Sequence, residues 1–399
     1  MTPKRASQAL PRTGLVPLLI HLGIPGEIQM PHGKILPIGH GESTYRVVFR
    51  SPRSLRTPMT ELGVGHAFVT GEIDIEGDIS VLFAARTRLV DKVPLRQKLQ
   101  FAFDFARTAT SMNTKAIRQH YSYGDELYLT FIDKRFRFYS QGLFQSPNET
   151  IEEASEHKLE SMFTGLGLRP GMRLLDIGGG WGGVTEYCGS RGVHVTTLTI
   201  APDSAAYVQR LIDDNDYPGV VFLEDFLNHC PAKPYDHAVI YGVIEHIPNY
   251  RGFSKRIWPM LKPGGRLYLD ASAAVEKYDV SGFSRDFIWR GTHTFMTLQD
   301  VTAELLYHGF EILEICRETK DYELTMLEWA KRLDAAKDEV VARWGEETYR
   351  IFRLFLWGGT HAFKTNALQA YHLLAERTSD PGPRPSIPRR TLQFVGSLR

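Results

Sequence analysis

The stretch Arg173-Leu-Leu-Asp-Ile-Gly-Gly-Gly-Trp-Gly-Gly-Val184 decides how this chain can fold. An apolar strand with one internal acid, Asp176, runs into a set of glycines, and a helix is predicted over Val184–Ser190. Gly178 and Gly180 permit a sharp turn and a close approach of the backbone to a ligand, which a Cβ would obstruct. Strand, glycine turn and helix N-terminus together predict the nucleotide-binding corner of a doubly wound α/β sheet. Alone, the glycines would also suit a turn of purely structural purpose.

The composition is that of a globular protein long enough for two or three domains. A formal net charge of +1 excludes a wholesale binder of nucleic acid. Cys188, Cys230 and Cys316 are far apart and form no CxxC pair, which indicates a reducing compartment and no cysteine-based zinc site. No run approaches the ~20 apolar residues that span a bilayer. We therefore expect a cytoplasmic protein, with any membrane contact peripheral at the inner surface.

Residues 1–85 are predicted to form a small α+β domain. Tyr45–Phe49 is a predicted strand, and Gly65–Asp78 is a predicted strand pair with turns at its glycines. The apolar run Leu15–Leu22 lacks the cleavage site of a signal peptide. Cations outnumber acids in this part of the chain, which predicts either a solvated basic surface or attraction to an anionic membrane. These cations are Lys4, Arg5, Arg12, Lys34, Arg46, Arg50, Arg53 and Arg56.

Residues 86–119 have a basic helical pattern, which favours a linker helix, with a membrane-surface helix as the alternative. Strands and helices then alternate through a predicted domain at 120–379, which indicates a parallel sheet with helices on both faces. The further strands are predicted at Val193–Ile200, Val220–Glu224, His237–Gly242, Arg266–Leu269 and Ile312–Thr319. From Leu324 to Arg377 the pattern predicts two or three long amphipathic helices, and 380–399 is a Pro-rich tail.

Two ligand classes compete for the glycine corner: dinucleotides and S-adenosyl-L-methionine. A dinucleotide site has its acid at the end of the second strand, about 20 residues beyond the glycines. Here that strand ends in the acid-free Thr197–Ile200, and Asp203 is a weak candidate. The motif carries its own acid, Asp176, and the third strand ends in Glu224-Asp225, where an adenine amino group could be recognised. The pattern therefore favours S-adenosyl-L-methionine.

Further motifs accompany this corner along nearly the whole chain, from Gly65 to about residue 377. They are His120-Tyr121 with Gly124, Tyr139-Ser140, the tryptophan-containing corner Leu175–Gly183, Leu198-Thr199, Glu245-His246, Leu261–Gly265, Asp321-Tyr322 and Gln369 in the last predicted helix. Together they resemble the cyclopropane fatty acid synthase family, which includes the mycolic acid methyltransferases. The resemblance implies a Rossmann-like methyltransferase sheet, added helices and a small N-terminal domain of lipid-binding-like type.

The resemblance also implies a reaction. A methyl group is transferred to the double bond of an unsaturated fatty acyl chain, usually in a phospholipid, and the resulting carbocation is deprotonated to a cyclopropane or a methylene-branched chain. The implied partners are that lipid and an anionic membrane, with no nucleic acid, and a homodimer is left open. The alternatives are a methyltransferase of a soluble metabolite and a non-catalytic lipid-binding protein on the same scaffold.

The resemblance names a set of cofactor-binding positions for S-adenosyl-L-methionine. Ser204 occupies a position where the family has a glutamine. The positions in this chain are Tyr139, Ser140, Asp176, Gly178, Gly180, Trp181, Gly182, Thr199, Ile200, Ser204, Asp225 and Phe226.

In this family a bound bicarbonate removes the proton. Only some of the residues that hold the bicarbonate in the family are found at the matching positions of this chain. Glu245 and Tyr322 agree with the family, whereas Gln141 replaces a cysteine, Asp270 a histidine and Ser272 an isoleucine. Either the backbone amide of Gln141 still holds bicarbonate, or Asp270 itself supplies the carboxylate, or Asp270 points to solvent. Two adjacent carboxylates would raise the pKa of one and disfavour an additional anion. Glu245, Tyr322, Asp270 and Gln141 are the predicted catalytic residues.

Overall fold

The computed structural model describes residues 14–84, 125–277, 280–289 and 293–379. The described residues group into two compact units, one within 1–132, 280–292 and 323–366, the other within 133–279, 293–322 and 367–399. The linker at 86–119, His120-Tyr121, Gly124 and the tail at 380–399 lie outside the described residues. The grouping assigns most of the C-terminal helices to the first unit, whereas the sequence placed them in the domain at 120–379. The linear division at 85, 119 and 379 stays a prediction.

The helices are α1 (Leu15–Leu22), α2 (Glu61–Val69), α3 (Ser80–Ala84), α4 (Asp125–Phe131), α5 (Ile151–Leu166), α6 (Gly183–Gly189), α7 (Pro202–Asn215), α8 (Tyr250–Met260), α9 (Leu298–Tyr307), α10 (Thr319–Ala335), α11 (Lys337–Trp344) and α12 (Glu346–Lys364). The strands are β1 (Gly26–Gln29), β2 (Ile35–Ile38), β3 (Tyr45–Phe49), β4 (Ile73–Gly77), β5 (Arg173–Ile177), β6 (His194–Thr199), β7 (Gly219–Leu223), β8 (Tyr235–Tyr241), β9 (Leu261–Ala273), β10 (Phe310–Arg317) and β11 (Gln369–Arg377). Across the described ranges, no helix has the length and apolar character needed to cross a bilayer.

The first unit is built on a four-stranded sheet in the order β2-β1-β3-β4. The predicted strand Tyr45–Phe49 is confirmed as β3. The strand pair predicted at Gly65–Asp78 is wrong in its first half, because Gly65 lies in α2 and only β4 is a strand. Thr60 caps α2 by accepting a hydrogen bond from Gly63 N (3.0 Å), and the buried Val64 and Phe68 lie one helical turn apart.

The second unit contains the predicted doubly wound sheet, with seven strands in the order β10-β11-β9-β8-β5-β6-β7. Neighbours among β5 to β9 run parallel, whereas β11 is antiparallel to both β9 and β10. From β5 the chain continues to β6 and then to β7 at one edge of the sheet. It then returns to β8, which lies on the other side of β5. The carboxyl ends of β5 and β8 therefore border the crevice in which open α/β sheets bind ligands.

The last strand corrects the sequence-based prediction of helices as far as Arg377. Gln369 begins β11, which lies between β9 and β10, and is not in a helix. Ala370, Leu373 and Ala375 are all at most 1% exposed. A strand inside a sheet buries both faces, so its apolar residues do not alternate with polar ones and the pattern cannot be told from that of a buried helix.

Candidate active site

The glycine turn after β5 combines one crowded position with one open position. Gly178 has φ +81° and donates a backbone hydrogen bond to Leu198 O (2.9 Å). A Cβ on Gly178 would lie 2.4 Å from Val243 Cγ2, whereas a Cβ on Gly180, at φ +50°, would meet nothing within 4 Å. The turn is thus packed against the end of β8 on one side and open on the other. The open side, beside Gly180, fits a ligand that approaches the backbone closely.

The acid of the motif lies beneath this turn. Asp176 is 2% exposed, and its only hydrogen bond from a side chain within the described residues comes from Thr197 Oγ1, at 3.4 Å from Oδ2. Burial raises the pKa of Asp176 to about 7. A Cβ on Gly179 would lie 2.8 Å from the same Oδ2 and 2.1 Å from the Thr197 methyl group. Gly179 therefore leaves room for the acid under the turn.

The ends of β6 and β7 border the same edge of the sheet. Thr199 O accepts a hydrogen bond from Glu224 N (2.9 Å), and Thr199 Oγ1 accepts one from Ala201 N (3.2 Å), so the half-buried Ile200 lies between two anchored residues. Ser204, in the first turn of α7, donates its hydroxyl to Gly180 O. These contacts join the glycine turn to the second strand.

The acids predicted after the third strand have local partners. Asp225 Oδ1 accepts a hydrogen bond from Leu227 N (2.8 Å), and Glu224 Oε2 lies 3.0 Å from His229 Nδ1. Phe226 is 4% exposed and packs in the core with its ring 5.4 Å from that of Phe253. A role of Asp225 and Phe226 toward the cofactor stays a prediction.

A loop held by a buried acid brings Tyr139, Ser140 and Gln141 to this edge. Asp133 is 1% exposed and accepts backbone hydrogen bonds from Phe136 N and Phe138 N, both at 2.6 Å.

Arg137, inside this loop, has φ +60° and ties the loop to the glycine turn. Its Nε donates to Trp181 O (3.2 Å), and its Nη2 lies 2.5 Å from Glu186 Oε2 in α6. Trp181 is 4% exposed, and the neighbouring Gly182 has φ +79°. Neither Asp133 nor Arg137 was predicted from the sequence as part of the site.

Glu245 follows β8 in a short 3-10 turn, Ile244–His246, and has one satisfied and one unmatched carboxylate oxygen. Its Oε1 accepts hydrogen bonds from Ser272 N (2.9 Å) and Ser272 Oγ (2.7 Å). Its Oε2 is buried and has no hydrogen-bond partner among the described residues. Burial raises the pKa of Glu245 to about 7, and the negative charge of Asp270 adds to this rise.

Asp270, near the end of β9, is fully enclosed. Its side chain is 1% exposed, so the interpretation in which it points to solvent is wrong. Oδ1 accepts from Gly242 N (3.0 Å), while Oδ2 lies 2.8 Å from Lys158 Nζ and 3.3 Å from Gln141 Nε2. Burial raises the pKa of Asp270 to about 6, against the opposing charge of Lys158. The predicted residues Gln141 and Asp270 are in direct contact.

Three further residues of this cluster were missed from the sequence: Lys158, Glu318 and His372. Gln141 Nε2 also donates to Glu318 Oε2, and Glu318 Oε1 pairs with His372 Nδ1. Burial lowers the pKa of His372, but the hydrogen bond and charge of Glu318 outweigh this and leave the pKa raised. Lys158 lies on the buried face of α5 with Ala154 and Met162. A lysine at an apolar position of an amphipathic helix is the signal that could have identified it.

The fourth predicted catalytic residue, Tyr322, lies in the first turns of α10. Its backbone N donates to Glu318 O (2.9 Å), which places it one turn beyond a member of the cluster. The role of its hydroxyl stays a prediction.

The two expected small molecules fit this site differently. The open glycine turn fits S-adenosylmethionine, because a ligand can approach Gly180 without meeting a side chain. An additional anion such as bicarbonate fits poorly: the side-chain donors around Asp270 already bind its carboxylate, and the unmatched atoms, Glu245 Oε2 and Gln141 Oε1, are both acceptors. An anion placed beside these two oxygens would meet the carboxylate of Glu245 and the amide oxygen of Gln141, and neither oxygen can donate a hydrogen bond to it.

Comparison with known proteins identifies related chains. The family model described as mycolic acid cyclopropane synthetase matches residues 108–373. A probable fatty acid methyltransferase of Mycobacterium tuberculosis is 26% identical over 395 residues, which cover 88% of this chain and 91% of that protein. A sphingolipid C9-methyltransferase of Komagataella phaffii is 25% identical over 289 residues, which cover 67% of this chain and 58% of that protein.

A solved structure agrees with these matches. The cyclopropane synthase MmaA2 of Mycobacterium tuberculosis superposes with a TM-score of 0.62 at 26% identity, over 66% of this chain and 98% of that chain. The strand order and the glycine turn described above agree with the family match, which covers more than half of the chain. The chain belongs to the mycolic acid cyclopropane synthetase family, and it is an S-adenosylmethionine-dependent methyltransferase that acts on lipids.

Proposed function

We propose that this protein transfers a methyl group from S-adenosylmethionine to the double bond of an unsaturated fatty acyl chain in a phospholipid. The resulting carbocation then loses a proton and yields a cyclopropane or a methylene-branched chain. The observation that carries this proposal is the buried carboxylate of Glu245, with one oxygen fixed by Ser272 and Oε2 without a hydrogen-bond partner among the described residues. Such a buried group suits proton removal from a reactive cation.

When bound, S-adenosylmethionine supplies an electrophilic methyl group, which an alkene can attack despite being a weak nucleophile. The residues proposed to hold it are Gly178 and Gly180 in the turn, Thr199 and Ser204 at the second strand, and Asp225 after the third. The contacts of Ser204 with Gly180 and of Thr199 with Ala201 support a preformed site.

The proton goes to Glu245. The electron pair of the broken C–H bond closes the third bond of the ring or, if a hydride first shifts from the methylated carbon to the neighbouring cationic carbon, forms the carbon–carbon double bond of a methylene branch, and Glu245 Oε2 becomes an O–H. Ser272 keeps Oε1 in place through two hydrogen bonds while this happens. Because its pKa is raised to about 7, Glu245 is a stronger base than an ordinary carboxylate and is still ionised in part near neutral pH.

Aromatic side chains are proposed to stabilise the carbocation, since their π faces attract cations in a dry site. Tyr139 and Tyr322 have this role in the proposal. Phe295 is a third candidate, because Thr294 N donates to Glu245 O (3.0 Å) and Met296 N donates to Ser272 O (2.9 Å). The backbone of Phe295 is thereby held beside the proposed base.

The experiment is expression in a bacterial host that lacks cyclopropane lipids, followed by mass spectrometry of its fatty acids. We expect monounsaturated chains to gain one CH2 unit, and expression of Glu245→Gln to leave them unchanged. Resistance of the product to hydrogenation separates a branch with a double bond from a ring. Turnover of S-adenosylmethionine with soluble metabolites and no change in any lipid would contradict the proposal and favour the soluble-metabolite alternative.

Peripheral contact with an anionic membrane is part of the proposal, and it rests on fewer cations than the sequence suggested. Arg46 is paired with Glu27 (2.7 Å), and Arg50 with Asp74 (2.7 Å), within the first unit. Lys4, Arg5 and Arg12 lie outside the described residues. Lys34, Arg53 and Arg56 are exposed and form no ion pair with another described residue. Sedimentation with vesicles of phosphatidylglycerol should therefore weaken with added salt and with charge removal at these three positions, and binding equal to neutral vesicles would contradict membrane attraction.

A further inference from the structure

The carboxylate of Asp270 is bound by donors from three separate parts of the second unit. Gly242 N follows β8, Lys158 Nζ comes from α5, and Gln141 Nε2 comes from the loop after Asp133, at 3.0, 2.8 and 3.3 Å. A backbone amide, an ammonium and a side-chain amide that converge on one planar anion form an anion site. In this chain the anion is covalently attached to the protein.

The polar side chains around this site pair with one another. Gln141 uses its one amide nitrogen to bridge Asp270 and Glu318; Asp270 pairs with Lys158, and Glu318 pairs with His372 and raises the pKa of its imidazole. Asp270 and His372 also lie directly opposite each other in the pairing of β9 with β11. Among the described residues, the ammonium of Lys158 and the ring of His372 are therefore already engaged by carboxylates of the protein.

Asp270 also fixes both segments that hold Glu245. Gly242 N donates hydrogen bonds both to the backbone O of Asp270 (3.1 Å) and to its Oδ1, which anchors the link between β8 and the turn that contains Glu245. Ser272 lies two residues beyond Asp270 in the same strand, on the same face of the sheet, and its N and Oγ both bind Glu245 Oε1. Asp270 thus acts on the proposed base through its neighbours and is a positioning residue.

We infer that Asp270 is a tethered anion, whose carboxylate fills the anion site of Lys158, Gly242 and Gln141 so that the reaction needs no free bicarbonate. This inference rests on the proposed function, since it concerns the deprotonation step of that reaction. No oxidant or further reactant is required, because the proton passes to Glu245 and the electron pair stays in the product.

The test uses the purified full-length enzyme, S-adenosylmethionine and vesicles of a monounsaturated phospholipid, in buffer freed of carbon dioxide. We expect wild-type turnover to be the same with and without added bicarbonate. Asp270→Ala removes the carboxylate from the anion site and leaves the three donors in place, so the turnover of this variant should fall at least about tenfold. Added formate, a one-carbon carboxylate, should restore its turnover. Asp270→Asn places a neutral amide in the anion site and leaves no room for formate. The turnover of this variant should therefore stay below that of wild type both with and without formate.

A binding measurement separates this role from a purely structural one. Formate should raise the melting temperature of Asp270→Ala and should leave that of Lys158→Met/Asp270→Ala unchanged, because the double variant lacks the cation of the site. Folding of Asp270→Ala only in the presence of formate would also support the site. Lys262→Met, which breaks an exposed ion pair with Asp236, is the matched control. Neither formate nor bicarbonate should change its melting temperature or its turnover.

Two failures are distinguishable. Wild-type turnover that depends on bicarbonate, or an Asp270→Ala variant that formate neither stabilises nor reactivates, would overturn the tethered anion while lipid methylation stands. Absence of any methylated acyl chain from wild-type enzyme in both buffers would overturn the proposed function itself, and the inference with it.

Discussion

Lys158 Nζ lies 2.8 Å from Asp270 Oδ2, and both side chains are only 1% exposed. The same ammonium lies 4.1 Å from the centre of the Tyr241 ring and donates to Ser140 Oγ (2.6 Å). A buried ion pair of this kind adds little stability compared with a well-packed apolar pair, yet loss of one partner is costly. Its presence beside the proposed base is therefore better explained by chemistry than by stability.

The first prediction concerns this pair. Lys158→Met should lower the free energy of unfolding by about 3–5 kcal/mol, because it leaves the Asp270 carboxylate buried without its cation. Lys158→Met/Asp270→Leu should recover most of that loss. Urea denaturation measures both. In the exposed control Lys262→Met the change should stay within about 1 kcal/mol. A single variant as stable as wild type would show that the pair does not have the enclosed geometry described here.

The second prediction concerns Glu245→Gln. The amide keeps the size of the side chain and can still accept a hydrogen bond from Ser272, but it cannot take up a proton. Turnover should fall at least about a hundredfold. Binding of S-adenosylmethionine, measured by calorimetry, should be unchanged, because the substitution is not in the glycine turn. Full turnover of this variant would assign proton removal to another group.

The third prediction concerns pH. The pKa of Glu245, about 7 in the folded protein, lies above the ordinary value of 4.5, so the protonated form persists up to neutral pH. Only the ionised form accepts a proton, and wild-type turnover should therefore fall as pH is lowered through about 7, roughly tenfold per pH unit below that point. The pH profile of kcat/KM for S-adenosylmethionine, which reports the pKa of the free enzyme, measures this. A rate independent of pH between about 5 and 8 would contradict Glu245 as the base.

The same titration predicts the pH dependence of stability. Between pH 4.5 and about 7 the native Glu245 binds more protons than the unfolded one, so the contribution of this group to the free energy of unfolding decreases as pH rises through that window. Comparison of wild type with Glu245→Gln by urea denaturation at both ends of the window isolates this contribution. An equal stability difference at the two ends would contradict the raised pKa.

The fourth prediction compares two glycines with nearly the same backbone conformation. Gly178 has φ +81° and Gly171 has φ +83°, so an alanine at either position is strained by roughly 1–2 kcal/mol. Only at Gly178 would the new Cβ also lie 2.4 Å from Val243; at Gly171 it would meet nothing within 4 Å. Calorimetry should show loss of S-adenosylmethionine binding in Gly178→Ala and in the larger Gly178→Val. Binding in Gly171→Ala should be retained, and equal affinities for all three would contradict the assigned turn.

The fifth prediction concerns Asp176→Asn. Burial raises the pKa of Asp176 to about 7, above its ordinary 3.8, so ionisation of this group destabilises the native state as pH rises through that window. The neutral amide should therefore be more stable than wild type at pH 8 and equal to it at low pH, as measured by thermal unfolding. Cofactor affinity should fall in the same variant. A variant less stable than wild type at pH 8 would contradict the raised pKa, because it would show that the native state favours the carboxylate.

Local patterns were sufficient to predict the parallel sheet and its ligand-binding corner. The glycines of the corner follow β5 directly in the sequence. In the segments beyond them, the spacing of apolar residues differs between strands and helices, and this spacing can be read from the sequence without knowledge of any long-range contact. The same reasoning failed at Gly65 and at Gln369. A short apolar segment in α2 and an interior strand in β11 carry patterns that only their packing partners distinguish.

The sequence by itself determined the sheet, the glycine turn and Glu245 at the end of a strand, because each depends on neighbours along the chain. Only the tertiary structure decided that Lys158 and Gln141 bind Asp270, and that His372 pairs with Glu318 beside them. These residues lie on separate elements, and the low polarity of the interior makes their charges matter only once folding brings them into contact. Burial of Asp270 contradicts the interpretation in which it points to solvent and supports the one in which its own carboxylate is the anion of the site.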